Sequence, residues 1–80
     1  MSSREKLLAK IRNNPKSVRF DELAKLLGWY GFELRRVRGD HHIYCRGRYM
    51  IVVDLQRPHL HSYVVKDALK ILDEIMEEEE

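Results

Sequence analysis

Hydrophobic side chains recur at helical spacing in three stretches of the chain, and these stretches predict three helices. The predicted helices span residues 4–13, residues 20–30 and residues 62–76. Proline disfavours helical backbone in the residue before it, so Pro15 ends the first helix. Gly31 lies where a glycine commonly stops a helix such as the second one. Ser62 is placed to cap the start of the third.

Between the second and third helices the pattern changes to short strand-like runs separated by glycine-containing turns. Three strands are predicted, at residues 33–38, 41–45 and 49–55. Gly39-Asp40 is typical of a two-residue hairpin loop with glycine first. The order of elements therefore predicts an α+β domain, in which one three-stranded antiparallel sheet has helices packed on one face and leaves the other face open.

The first hairpin loop determines which residues of the second strand share a face. If Gly39-Asp40 forms the loop, Val37 pairs with His42, and directly opposed residues lie on the same face of a sheet. Neighbouring strand residues alternate between the two faces, so His42 and Tyr44 lie on one side and Ile43 lies on the other.

The second hairpin loop decides which of these two sides is buried. A three-residue loop at residues 46–48 pairs Ile43 with Ile51 and gathers the aliphatic residues on one side. A two-residue loop would move Ile51 to the side of His42. Burial favours the three-residue loop, so we predict an open face that carries His42. Arg36 then falls on the core side, which requires either a position at the sheet edge or a bulge in the first strand.

Charge is unevenly distributed along the chain, although the net charge is only +2. Residues 1–48 carry twelve Lys and Arg against five Asp and Glu, a balance of +7, whereas residues 49–80 have a balance of −5. A basic region of this strength suits a polyanionic ligand such as RNA, although scattered solubilising arginines would give the same composition. No apolar run is long enough to span a membrane, so we expect no membrane partner and a cytoplasmic protein.

A histidine on an open, arginine-fringed face suits acid–base chemistry on a phosphodiester, because imidazole titrates near neutral pH. His41 and His42 cannot grip one metal ion jointly, since adjacent strand residues point to opposite faces. No other histidine or carboxylate set has a recognisable ligand spacing, so we predict neither a metal nor another cofactor. Cys45, the single cysteine, is expected to be a small buried side chain.

Several short motifs between residues 20 and 44 follow one another in a characteristic order. They are Phe20-Asp21-Glu22-Leu23, Leu26-Leu27, Gly31-Phe32, Leu34, Arg36 and Gly39-Asp40-His41-His42-Ile43-Tyr44. This series resembles the HicA family of toxins, small RNA-cleaving proteins that are encoded beside an antitoxin called HicB. The resemblance covers about residues 20–75, and its most specific part is the Gly-x-x-His turn at residues 39–42.

The resemblance implies both a fold and a biological setting. The implied fold is like that of double-stranded-RNA-binding domains, with residues 17–76 as the HicA-like domain, residues 1–16 as a helical extension and residues 77–80 as an acidic, solvated tail. The implied activity is metal-independent mRNA cleavage in a type II toxin–antitoxin system. RNA and a HicB-like antitoxin are the implied partners.

In this family the catalytic residue is the histidine at the fourth position of the turn motif, which is His42 here. Asp54 is a candidate for orienting its imidazole, although a plain polar strand end is an equally good interpretation. The residues proposed to bind phosphate or stack on a base are Arg35, Arg36, Arg38 and Tyr44. HicA toxins usually have serine at the position of Asp40. This departure leaves open a non-catalytic RNA-binding module of the same fold, and a protein-interaction domain is a third possibility.

Overall fold

A computed structural model describes residues 2–79, which fold into three α-helices, one short 3-10 helix and three strands. The elements are α1 (Ser3–Asn13), η1 (Pro15–Ser17), α2 (Phe20–Trp29), β1 (Glu33–Arg38), β2 (His41–Arg46), β3 (Tyr49–Asp54) and α3 (Ser62–Glu78). The strands form one antiparallel sheet in the order β1-β2-β3. The predicted α+β class and the predicted order of elements are therefore confirmed.

Local capping explains where the first two helices begin. The side chain of Ser2 accepts a hydrogen bond from the first turn of α1. At the start of α2, the carboxylate of Glu22 accepts a hydrogen bond of 3.0 Å from the backbone N–H of Arg19. The third helix differs from the prediction, because Ser62 is its first helical residue and His61 occupies the cap position without a side-chain cap bond.

The hydrophobic core lies between the helices and one face of the sheet. Its largest fully buried side chains are Ile11, Val18, Leu23, Leu26, Leu27, Val53, Val65 and Leu72. Leu8 and Ile11 bring α1 into this same cluster. Because α1 contributes to the common core, the N-terminal segment is packed against the rest of the fold. Within residues 2–79, no helix has the length and apolar character that crossing a membrane requires.

The first hairpin has the predicted two-residue loop. The opposed pairs are Arg38–His41, Val37–His42 and Arg36–Ile43. Gly39 has a φ of 58°, which a hairpin loop with glycine first requires. The register then shifts between Leu34 and Arg36. A bulge in β1 was one of the two explanations offered for the position of Arg36, but this bulge leaves Arg36 opposite Ile43, as in the predicted register.

The second hairpin contradicts the predicted three-residue loop. Gly47-Arg48 forms a two-residue loop, with a φ of 55° at Gly47, and Tyr44 pairs with Ile51. Ile51 is buried as expected, but β2 turns His42 and Tyr44 toward the helices. Ile43 and Cys45 lie on the opposite side, both partly exposed. Since side chains alternate along a strand, this difference of one residue exchanges the two predicted faces of β2.

Candidate nucleic-acid interface

The turn between β1 and β2 brings two neighbouring histidines to one end of the sheet. The backbone N–H of Leu55 donates a hydrogen bond of 2.8 Å to the carbonyl oxygen of Asp40, which ties this turn to the end of β3. His41 and His42 follow the turn directly and project from opposite faces. We call residues 36–42 together with residues 53–55 the hairpin end.

His41 lies on the open face, the side of the sheet opposite the helices. Its direct partner on β3 is Asp54, and Nδ1 of His41 is hydrogen bonded to Oδ1 of Asp54. The side chain of His41 is 59% exposed and that of Asp54 is 26% exposed. A carboxylate on Nδ1 fixes the tautomer and leaves Nε2 as the nitrogen that exchanges protons with a ligand. Asp54 therefore orients His41, whereas the sequence had suggested this role toward His42.

His42 lies on the helix side of the sheet, so its predicted location on the open face is wrong. Its half-buried ring packs against the ring of Phe20, with the two centroids 4.7 Å apart. Nδ1 of His42 lies 3.3 Å from the carbonyl oxygen of Asp40, a long hydrogen bond. The catalytic role given to His42 by the resemblance stays a prediction, but it no longer has support from the register.

Two of the three predicted phosphate-binding arginines flank His41. Arg38 is the direct partner of His41, and Arg36 is the direct partner of Ile43, so both arginines belong to the open face. Both are exposed. Arg35 lies between the residues of the bulge, and its Nε is 3.7 Å from a carboxylate oxygen of Glu33. The hairpin end thus combines an exposed imidazole with two guanidinium groups on one surface.

Tyr44 is placed differently from its predicted role. It faces the helices, is only 7% exposed and belongs to the hydrophobic core. Burial raises the pKa of its phenol, because the phenolate would be poorly solvated there. This location contradicts the prediction that Tyr44 offers a stacking surface to substrate.

A cleft of about 490 Å³ beside His42 contains two arginines that the sequence did not single out. Its lining residues are Arg19, Phe20, Asp21, Gln56, Arg57 and Pro58. Arg19 and Arg57 are far apart in the sequence, and no local pattern joins them. A backbone hydrogen bond of 2.8 Å from Leu60 to the carbonyl oxygen of Val18 brings their segments together. Only the tertiary fold could reveal this pair.

The remaining histidines do not form a metal centre in the part of the chain that the structure describes. No group of three His, Cys, Asp or Glu residues within 2–79 comes together in an arrangement that could hold a metal ion. His61 instead stacks against Tyr63, with ring centroids 5.6 Å apart. His59 is exposed on the segment that precedes α3.

Comparison with known proteins does not indicate a function, so the function has to be inferred from the geometry of the site. No family model matches the chain, and no curated protein or solved structure matches it either. The likeness to HicA toxins therefore depends on the motif residues, and the chemistry of the hairpin end is the main guide to function.

Proposed function

We propose that this protein is an RNA-cleaving enzyme, an endoribonuclease similar to the HicA toxins, and that the hairpin end is its active site. The observation that carries the proposal is the pairing of an exposed imidazole, His41, with the carboxylate of Asp54. Arg36 and Arg38 lie on the same face of the sheet. A proton acceptor on the same face as two exposed cations suits the cleavage of a phosphodiester by its own 2′-hydroxyl.

The proposed reaction begins when the 2′-hydroxyl gives its proton to Nε2 of His41. The 2′-oxygen then bonds to phosphorus, and the bond from phosphorus to the 5′-oxygen breaks. The leaving oxygen takes a proton from water, and the imidazolium later returns its proton to solvent. Asp54 stabilises the imidazolium while it exists. Arg36 and Arg38 neutralise the charge that develops on the non-bridging oxygens.

His42 is the alternative position of the catalytic base, because the resemblance to HicA toxins implies it. The geometry favours His41, whose ring is exposed and paired with a carboxylate. The ring of His42 packs on Phe20 and has a carbonyl oxygen as its partner. The two residues are adjacent, so matched single substitutions distinguish them.

The test is an RNA digestion in excess chelator with four variants. His41→Ala should lower the cleavage rate by about a hundredfold or more, since general acid–base catalysis contributes on that order. Asp54→Asn should lower the rate by roughly tenfold or more, because the tautomer is no longer fixed. His42→Ala should have a smaller effect, and His59→Ala, an exposed histidine outside the hairpin end, should leave the rate unchanged.

Three outcomes would count against parts of this proposal. A larger loss in His42→Ala than in His41→Ala would move the base to His42. Full activity in both variants would remove the hairpin end as the active site. Cleavage that chelator abolishes in the wild type would contradict a metal-independent reaction.

Asp40 favours a second candidate function, a non-catalytic RNA-binding domain of the same fold. Its side chain lies in the turn immediately before His41, where HicA toxins usually have serine. A negative charge at this point repels an approaching phosphate. If the wild type binds RNA without cutting it, Asp40→Ser is the decisive variant. Restored cleavage would identify Asp40 as the cause of inactivity, and continued inactivity would favour the binding domain.

The proposal also gives the protein the setting of a toxin, which acts on mRNA in the cytoplasm and is held inactive by a HicB-like antitoxin. Expression of the wild type should arrest growth, whereas expression of His41→Ala should not. Co-expression of the protein encoded by the adjacent reading frame should relieve the arrest. Growth that continues at high levels of the wild-type protein, with RNA cleavage demonstrated in vitro, would argue against the toxin setting alone.

A further inference from the structure

Trp29, the last residue of α2, is a large aromatic side chain that lies outside the hydrophobic core. It is 39% exposed. The ammonium group of Lys25, one helical turn earlier, lies 4.9 Å from the centre of its ring. A cation over the ring stabilises a tryptophan at the surface and leaves part of the ring in contact with solvent. The exposed part of the ring is therefore available to a ligand.

Trp29 forms one end of a groove between α1 and α2. The groove has a volume of about 460 Å³, and its lining residues are Ser3, Lys6, Leu7, Lys10, Asp21, Glu22, Lys25 and Trp29. Three of these residues are lysines. Glu22 is engaged by Lys10, whose Nζ lies 2.6 Å from the carboxylate. The walls of the groove thus present Lys6 and Lys25 near an exposed aromatic ring.

This groove continues into the arginine cleft at the other end of α2. Asp21 lines both depressions, and the cleft contributes Arg19 and Arg57. Since an α-helix rises 1.5 Å per residue, α2 carries this surface for roughly 14 Å, from Phe20 to Trp29. Phe20 in turn contacts His42 at the hairpin end. We call the cleft and the groove together the α2 track.

We propose that the α2 track, on the side of the sheet opposite His41, binds a single-stranded segment of RNA that passes around the hairpin end. Trp29 stacks on one base, and Arg19, Arg57, Lys6 and Lys25 neutralise successive phosphates. Stacking on an exposed aromatic side chain next to a basic groove is the general mode of single-strand binding. A duplex offers no free base face to Trp29, so the ligand is single-stranded. This proposal rests on the proposed function in one respect, that RNA is the ligand.

The test measures binding of a labelled 2′-O-methyl oligouridine, which has no free 2′-hydroxyl and so cannot be cut, to the full-length protein at low salt. Trp29→Ala should weaken binding roughly tenfold, and Trp29→Phe should retain most of the affinity because it keeps an aromatic face. Lys25→Gln should weaken binding by a smaller factor. Asp21→Asn should strengthen it, because a negative charge is removed from the middle of the track.

Tyr63→Ala is the matched control, since Tyr63 is an exposed aromatic residue on α3, outside the track, and is 58% exposed. It should change the affinity by less than about twofold. Melting curves of every variant verify the fold. If Trp29→Ala destabilises the protein, Lys25→Gln and Asp21→Asn still give opposite shifts in affinity, which a loss of folding would not produce.

The outcomes separate this proposal from the enzymatic one. Equal affinities for Trp29→Ala and Tyr63→Ala, in a protein that cuts RNA, would overturn the track and leave the ribonuclease intact. A wild type that neither binds nor cuts RNA would overturn both. A duplex that binds as tightly as the single strand, with the same dependence on Trp29, would contradict base stacking.

Discussion

The two hairpins of the sheet contain arginines in opposite situations. At the Gly47-Arg48 turn, Arg46 is bonded to Glu79 and Arg48 to Glu78, at the end of α3. Arg46 also donates a hydrogen bond of 3.0 Å to the carbonyl oxygen of Tyr30. At the hairpin end, by contrast, neither Arg36 nor Arg38 forms a salt bridge with any other residue between 2 and 79. The first group of arginines serves the fold, and the second is available to a ligand.

This difference indicates a role for the acidic half of the chain, residues 49–80, whose carboxylates pair with some of the cations of residues 1–48. Glu78 and Glu79, which were assigned to an acidic tail, are exposed, and they continue α3: Glu78 ends the helix and Glu79 is its cap residue. Both neutralise cations of the basic half. Asp73 does the same for Arg12, whose pKa is raised chiefly by their hydrogen bond. These pairs leave Arg36 and Arg38 at the hairpin end, and Lys6 and Lys25 beside α2, without a salt bridge to any residue between 2 and 79.

The largest effect that tests this division concerns the buried part of β2. Tyr44→Ala should destabilise the protein by about 3 kcal/mol, because it removes a buried aromatic ring and leaves a cavity. Ile43→Ala, one residue away on the open face, should cost about 1 kcal/mol or less. Urea denaturation followed by circular dichroism gives both free energies of unfolding. A larger loss from Ile43→Ala would support the register with the three-residue loop.

The next effect concerns the arginines themselves. Replacing Arg36 and Arg38 together by alanine should weaken RNA binding on the order of tenfold and reduce the slope of log K against log salt by about two. The matched double variant, Arg46→Ala with Arg48→Ala, should leave this slope unchanged, because those cations are already neutralised. Binding titrations between 50 and 200 mM salt, about the range over which such slopes are steep, measure both. Equal slopes in the two double variants would show that the two groups of arginines do not differ in their availability to RNA.

The sequence was sufficient to predict the helices and strands, but it was insufficient to predict which side chains of the strands face the core. Helical periodicity and turn chemistry depend on neighbouring residues, so the helices, the strands and the loop at Gly39-Asp40 could be predicted. The second loop could not, since Ile51 prefers burial in either register and the choice depended on whether Ile43 or Tyr44 joins it. The predicted register placed the charged side chain of Arg36 on the core side. This was the signal in the sequence that the two faces of the sheet had been assigned wrongly.

The same difference of one residue explains the errors at the site. The prediction placed His42 on the open face and gave it Asp54 as a partner, whereas in the structure His41 lies there and contacts Asp54. The prediction also placed Tyr44 on the open face, whereas the structure buries it in the core. Arg36, which the predicted register placed on the core side, is exposed on the open face together with Arg38. The α2 track could not be predicted from the sequence. It depends on the contact between the segment before α2 and the segment before α3, and on the packing of α1 against α2.

The smallest effect concerns Lys10, a cation that is occupied within the fold even though it lines the α2 track. Its partner Glu22 has a pKa below the usual value, first because Lys10 donates a hydrogen bond to it and second because the backbone N–H of Arg19 does. A carboxylate whose pKa is lowered in the folded state contributes stability above its unfolded pKa. That contribution is lost as the pH falls through the lowered value.

Glu22→Gln should therefore reduce the free energy of unfolding at pH 7 by about 0.5–1 kcal/mol, the range of one capping contact plus one surface ion pair. The difference from the wild type should shrink as the pH falls below the ordinary glutamate value of 4.5, because the wild-type carboxylate is then protonated as well. Asp67→Asn, which removes an exposed carboxylate on α3, is the control and should change the free energy of unfolding by less than about 0.5 kcal/mol. Urea titrations at several pH values between about 3 and 7 measure the two curves. A Glu22→Gln deficit that stays constant down to pH 3 would show that the side chain acts through packing, and it would contradict a stabilising contribution from the charge of Glu22.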